Sequence, residues 1–215
     1  MLSKRKTVEA LDEMAALFPN AQCELLHRTV LQLLIATLLS AQATDVSVNK
    51  VPPSLFDRFS TPEAFVAAPL ESIMQEIRTI GLYRTKAANI QKCCKMLLED
   101  FGGEVPRTLE ELTKLPGGGR KTANVVMSVG FHIPAIAVDT HVERISKRLR
   151  IAPQKASVLE VEELLMKKIP KERWSDAHHQ MIFFGRYHCT ARNPKCEVCP
   201  LLSMCQEGQK RLGLK

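Results

Sequence analysis

Aromatic residues are scarce in this 215-residue chain, at 5% with one Trp and two Tyr. That scarcity argues against an open sheet that stacks successive bases, as single-strand binders do. Long apolar runs are missing as well. The most apolar stretch, Leu31 to Leu39, is broken by Gln32 and Thr37 and ends at Ser40, far short of the roughly 20 residues of a membrane span. The amino end, MLSKRKTVEALDEM, has no apolar core or small-residue cleavage site of a secretory signal. Ten Gly and twelve Pro are too few for a collagen-like or mainly disordered chain, and no repeat or low-complexity tract is evident. An odd total of seven cysteines without a secretory signal disfavours a disulfide framework. The expectation is a soluble, cytoplasmic protein of one large domain or two small ones.

Basic charge is in excess. Thirty Lys and Arg against 23 Asp and Glu leave +7, with a sequence pI near 9.1. Such an excess suits nucleic acid or another polyanion, because phosphate contacts release counterions.

Helical periodicity runs through most of the chain. Leu31, Leu34, Ile35, Leu38 and Leu39 form one predicted buried stripe. Ile73, Ile77 and Ile80 line a second helix stopped at Gly81; Ile90, Cys94, Leu97 and Phe101 line a third, stopped by Gly102-Gly103. Thr61-Pro62 reads as a helix start, and Thr108/Glu111 and Ser157/Glu160 have capping-box spacing. Val51-Pro52-Pro53 separates two helices. Ile133 to Val138 is the only strand-like run, and it contains Pro134. The fold class is therefore all-α, with the basic tail GQKRLGLK expected to fray.

Three constellations carry chemistry. Cys189, Cys196, Cys199 and Cys205, spaced Cys-x6-Cys-x2-Cys-x5-Cys, bring four thiolates into one short segment. Such a set suits an iron–sulfur cluster or a tetrahedral zinc. Four-cysteine zinc sites usually pair two Cys-x2-Cys knuckles, whereas one close pair with gaps of six and five suits a loop around a larger body. Arg186, Arg192 and Lys195 lie beside it, to face phosphates or simply solvent.

The second constellation, LPGGGRKTA, spans Leu115 to Ala123 between two helices. Gly117, Gly118 and Gly119 let the backbone approach a phosphate, and the following amides point at the anion. This is a helix–hairpin–helix arrangement, which grips the DNA backbone without reading bases. Arg120 continues the grip. Lys121 stands where the helix dipole disfavours an ammonium, which should lower its pKa. An amine nucleophile needs that, although a phosphate-binding lysine would also fit there. Third, Asp139 reads as the N-cap of a helix from Thr140 to about Arg150. A carboxylate there is also able to stabilise a developing sugar cation or move protons.

LPGGGRKTANVV, AIAVDTHVERISKRL and the cysteine tail, with LLSAQATDVSVNK, IRTIGLYRTKAANI and HHQMIFFGRYHC, occur in the order found in one family. The chain resembles the endonuclease III family, bifunctional DNA glycosylases and abasic-site lyases of the helix–hairpin–helix superfamily. The resemblance implies two helical lobes with DNA in the cleft between them. One is a six-helix barrel over residues 23–133. The other joins residues 1–22 to 134–215 and holds a 4Fe–4S cluster on Cys189, Cys196, Cys199 and Cys205. The implied partner is damaged double-stranded DNA, with no membrane and the chain acting as a monomer. Lys121 matches the nucleophilic lysine, Asp139 the essential aspartate, and Gln42 and Leu82 the side chains that enter the helix where the base has left. An apolar cap after Gly81 is the plainer reading of Leu82.

The family hairpin usually reads LPGVGRK, with an apolar residue where Gly118 stands here. Losing it should weaken DNA affinity or stability by about 1 kcal/mol and leave the chemistry intact. His27 to Gln32 lacks the family's Asn-Pro turn. Two rivals are a mismatch adenine glycosylase and a non-catalytic metal-containing DNA-binding module. The first typically lacks the hairpin lysine and carries an extra carboxyl-terminal domain, whereas this chain has Lys121 and ends ten residues after Cys205. Lys121 and Asp139 together argue against the second.

Overall fold

Side-chain oxygens set where most helices begin. In the computed structural model, which describes residues 1–51 and 54–214, Ser3, Thr29, Thr44, Thr61, Thr108 and Ser157 each accept from the amide three residues on. The helices are α1 (Lys4–Leu17), α2 (Val30–Leu39), α3 (Asp45–Val48), α4 (Ser54–Arg58), α5 (Pro62–Ala67), α6 (Leu70–Glu76) and α7 (Tyr83–Phe101). They continue as α8 (Leu109–Lys114), α9 (Arg120–Val125), α10 (Thr140–Arg148), α11 (Val158–Lys168), α12 (Trp174–Phe183) and α13 (Gln206–Arg211). Pro62 opens α5 as expected, and Ser157 with Glu160 completes a full capping box. At Thr108 the box is partial: the Glu111 carboxylate accepts from the threonine hydroxyl at 2.6 Å. Among the described residues there is no strand. Ile133–Val138 runs extended, with Ala135 to Val138 buried. The break at Pro52-Pro53 lies outside the described residues.

The chain divides into two compact bodies, Glu24–His132 and Met1–Cys23 with Ile133–Lys215. In the first, the central body, α2 corrects the stripe reading. Leu33 through Leu39 are all buried, while Leu31 is only half-buried. A helix apolar on every side belongs inside a core, not against one face of it. A second correction concerns α6, which ends at Glu76, before Ile77 and Ile80. Both isoleucines are buried, in a turn closed by the Ile80 amide on the Ile77 carbonyl at 2.9 Å. Helical spacing there reported burial rather than helix. α7 packs on α5 and α6, and Gln91 donates to the carbonyls of Phe65 and Ala68. It stops at Gly102, whose φ of +60° only glycine adopts freely. Burial pushes the Cys93 thiol up to about 12 and Cys94 further, so both act as inert core groups.

In the other, terminal body, Ala10, Leu11 and Met14 of α1 join a core with Val142, Ile145, Val161, Leu165, Met181 and Phe184. Lys168 donates to the carbonyls of Leu2 and Ile151, which pins the amino end. The tail departs from the expected fraying. α13 forms there, Gly208 is buried, and Gln209 donates to the carbonyls of Leu202 and Ser203. These bonds satisfy polar groups that sequence composition alone left to solvent. No helix among the described residues is long and apolar enough to cross a membrane.

Candidate functional site

The glycine turn is anchored by apolar residues on both sides. Leu112 and Leu115 are buried before it, and Thr122 to Val126 after it. Gly117 has φ +77°, and a Cβ there would sit 3.0 Å from the Asn89 Cβ, so backbone and packing both demand glycine. Gly118 lies outside the left-handed region; a Cβ there would meet the carbonyl oxygens of Leu115 and Leu112 at 3.1 and 3.3 Å. Gly119 is the N-cap of α9, with open space around it. Arg120 is exposed, and Lys121 follows as the second residue of α9, half-buried. α9 passes directly into a π segment, Val126–Gly130, where Gly130 lies against Val30 and Leu33. Nothing in the sequence pattern signalled that segment.

Gln42 and Leu82 are both exposed and both carry left-handed backbones, at φ +54° and +59°. Leu82 is the N-cap of α7, as its plainer reading has it, and its side chain is 61% exposed. The two residues line one pocket of about 130 Å³ with Thr85, Lys86, Asn89 and Gly117. Left-handed non-glycine residues cost energy and persist only where the surroundings enforce them.

In the terminal body Asp139 caps α10, which ends at Arg148. Its Oδ1 accepts from the amides of His141 and Val142, both at 2.8 Å; neither bond uses Oδ2. Burial pushes the neighbouring His141 imidazole below its ordinary value, helped by Arg144 and Arg186 and opposed by Asp139.

The four cysteines line a single cavity with Ile145, Arg148, Phe184, His188 and Leu201. Four cysteine thiols on one cavity are a donor set that fits an iron–sulfur cluster. Burial pushes Cys199 up to about 11 and raises Cys196 and Cys205, so ligation of a metal by these thiols would require loss of their protons. Two arginines hold the loop that sequence reasoning passed over. Arg148 donates to the Cys189 Sγ at 3.2 Å, the Thr190 carbonyl at 2.7 Å and the Ala191 carbonyl at 2.8 Å. Arg144 donates to the carbonyls of Gly185 at 2.8 Å and Cys189 at 3.2 Å. Their i, i+4 spacing puts both on one face of α10 but does not mark the carbonyls they serve. Arg192 and Lys195 are exposed, with Lys195 on the rim of the cavity.

An all-helical fold, a glycine hairpin opening a lysine-bearing helix and a four-cysteine loop together define a helix–hairpin–helix protein with an iron–sulfur loop. Residues 35–171 match the HhH-GPD superfamily base excision DNA repair protein model, and residues 189–205 match the iron–sulfur binding domain of endonuclease III. The chain is 59% identical to endonuclease III of Bacillus subtilis (strain 168), over 98% of this chain and 96% of that one. It is 46% identical to endonuclease III of Escherichia coli (strain K12), over 97% and 99%. A solved trapped endonuclease III–DNA covalent intermediate, an estranged-adenine complex, is similar at TM-score 0.96 and 61% identity, covering 99% of this chain and 100% of that chain. The chain belongs to the HhH-GPD superfamily of base excision DNA repair proteins and, within it, to the endonuclease III family.

Proposed function

We propose that this protein removes oxidised pyrimidines from duplex DNA and cuts the strand 3′ to the abasic site, using Lys121 as nucleophile and Asp139 as its electrostatic and proton-transfer partner. The observation that carries the reading is Lys121 itself, half-buried at the start of a helix opened by a glycine hairpin, in an endonuclease III family chain. The enzyme is a DNA glycosylase and abasic-site lyase, its partner is damaged double-stranded DNA, and its cofactor is a 4Fe–4S cluster. The central body then supplies the lysine and the backbone grip of Gly117, Gly118, Gly119 and Arg120. The terminal body supplies Asp139 and the cluster loop. We infer a cytoplasmic location, on the nucleoid in a bacterium, and action as a monomer.

A damaged base leaves the stack before its glycosidic bond is reached, and weak stacking lowers that cost. Gln42 and Leu82 occupy the space it vacates. The unprotonated Lys121 amine attacks C1′; the C1′–N bond breaks with its electron pair on the base, which takes up a proton. Opening of the sugar ring converts the C1′–Nζ adduct to a protonated Schiff base. Loss of a proton from C2′ then expels the 3′ phosphate by β-elimination, and water releases the lysine. Asp139 stabilises positive charge on the sugar and assists the proton transfers; with Oδ1 committed to two amides, Oδ2 is the oxygen that acts. Cys189, Cys196, Cys199 and Cys205 would hold the cluster, which would order the loop that carries Arg192 and Lys195; none of these steps moves an unpaired electron.

Borohydride trapping tests the reading. The parent incubated with duplex DNA carrying thymine glycol should give a covalent protein–DNA band that Lys121→Ala abolishes. No band from the parent, with binding intact, would leave a monofunctional glycosylase or a DNA binder.

A further inference from the structure

Lys86 is an oddity in the central body: a lysine only 6% exposed, on α7, whose Nζ donates at 2.8 Å to the carbonyl of Leu39. Leu39 is the last residue of α2, where helical carbonyls have no partner of their own, and a cation there also meets the favourable end of the helix dipole. Three residues further on stands Gln42 with its left-handed backbone. Such a backbone persists only where its flanks are fixed.

The same face of α7 reaches two more contact elements. Leu82, Lys86 and Asn89 are spaced i, i+4, i+7 and share one side of the helix. Leu82 is the left-handed N-cap of α7. Asn89 packs where a Cβ on Gly117 would otherwise stand, so it sets the seat of the glycine hairpin. All of these residues line the pocket that also holds Gln42. One helix face thus gauges the spacing of three elements assigned to DNA.

We propose that Lys86 is a positioning residue for base extrusion: by tying the end of α2 to the first turns of α7, it holds Gln42 in register with Leu82. The inference rests on the assignment of Gln42 and Leu82 to the space left by the base. A direct phosphate contact by Lys86 does not fit, because its amine is buried against a carbonyl. Burial also pushes that amine below its ordinary value, a cost that a free surface lysine avoids.

The experiment compares the parent, Lys86→Met, Gln42→Ala and the double variant under single turnover. One substrate carries thymine glycol in duplex DNA; the other carries a preformed abasic site, which has no base to unstack. Methionine keeps the apolar stem and drops the donor. Lys86→Met should slow base excision about tenfold, the scale of a small misplacement. Cleavage of the preformed abasic site should change less than about threefold, because extrusion costs little there. In the Gln42→Ala background the same change should cost less than about twofold more, since residues acting through one another are not additive. Equal losses on both substrates, or losses that multiply in the double variant, would overturn the proposal. If Lys86→Met does not fold, Lys86→Gln, with a shorter donor, is read by the same ratios. A parent that neither excises nor cleaves would instead overturn the functional reading, and this inference with it.

Discussion

The central body displays its glycine hairpin on a base of packed side chains, whereas the cysteine segment of the terminal body has almost no core of its own. Around the glycine hairpin, Leu112, Leu115 and Ala123 are 2% exposed or less, and every residue of α2 from Leu33 to Leu39 is buried. Of residues 189–205, Leu201 alone is buried, and the regular structure there is two short 3-10 turns. What holds that segment is directional: arginine bonds to its carbonyls and to the Cys189 sulfur, beside four thiols that line one cavity. Packing tolerates small shifts, but ligation and charge-assisted bonds fail abruptly when one partner is lost.

The largest effect separates chemistry from either kind of support. Lys121→Ala should reduce strand cleavage by about a thousandfold or more while leaving the melting temperature within a few degrees, because a half-buried residue at a helix start carries little packing. Asp139 carries both duties, so two variants divide them. Asp139→Asn keeps a capping oxygen and should hold stability while turnover falls about 10²- to 10⁴-fold. Asp139→Ala should lose the same activity and about 1 kcal/mol of stability besides. Equal melting temperatures for the two would contradict the cap.

The contrast between the bodies sharpens with a matched pair. Leu34→Ala in α2 should cost about 2–5 kcal/mol whether or not iron is bound. Arg148→Met should cost about 2–4 kcal/mol through its lost carbonyl and sulfur bonds. It should also weaken the iron–sulfur absorbance near about 400 nm and open residues 189–205 to protease. Protection of amides in α2, followed by hydrogen exchange, should survive Arg148→Met and collapse in Leu34→Ala. The smallest effect is at Gly118. With φ outside the left-handed region, Gly118→Ala should stabilise by less than about 1 kcal/mol, because crowding on two carbonyl oxygens offsets part of the entropy gain. A loss above that size would mean those oxygens do not yield.

Helix starts were legible at Thr61, Thr108 and Ser157, where Pro or Glu reinforced the capping oxygen. The same caps at Ser3, Thr29 and Thr44 lacked that second mark. Asp139 was legible as a capping carboxylate, and the cysteine loop by its spacing. Periodicity was a weaker guide. It marked Ile77 and Ile80 as buried without revealing the turn that buries them, and it gave α2 one stripe where every residue from Leu33 to Leu39 is buried. The left-handed backbones of Gln42 and Leu82, a second π segment at Phe184–His188 and the arginine bonds to the cysteine loop are set by tertiary contacts. No local pattern encodes them. Arg144 and Arg148 look like ordinary surface charges until the carbonyls they serve, some 40 residues away, fold back onto α10.

The central claim is that one amine does the chemistry, and mass-spectrometric mapping of the borohydride-reduced adduct tests it most directly. The account predicts the reduced deoxyribose remnant on Lys121 alone. A remnant on any other lysine, Lys86 or Lys114 included, would contradict it.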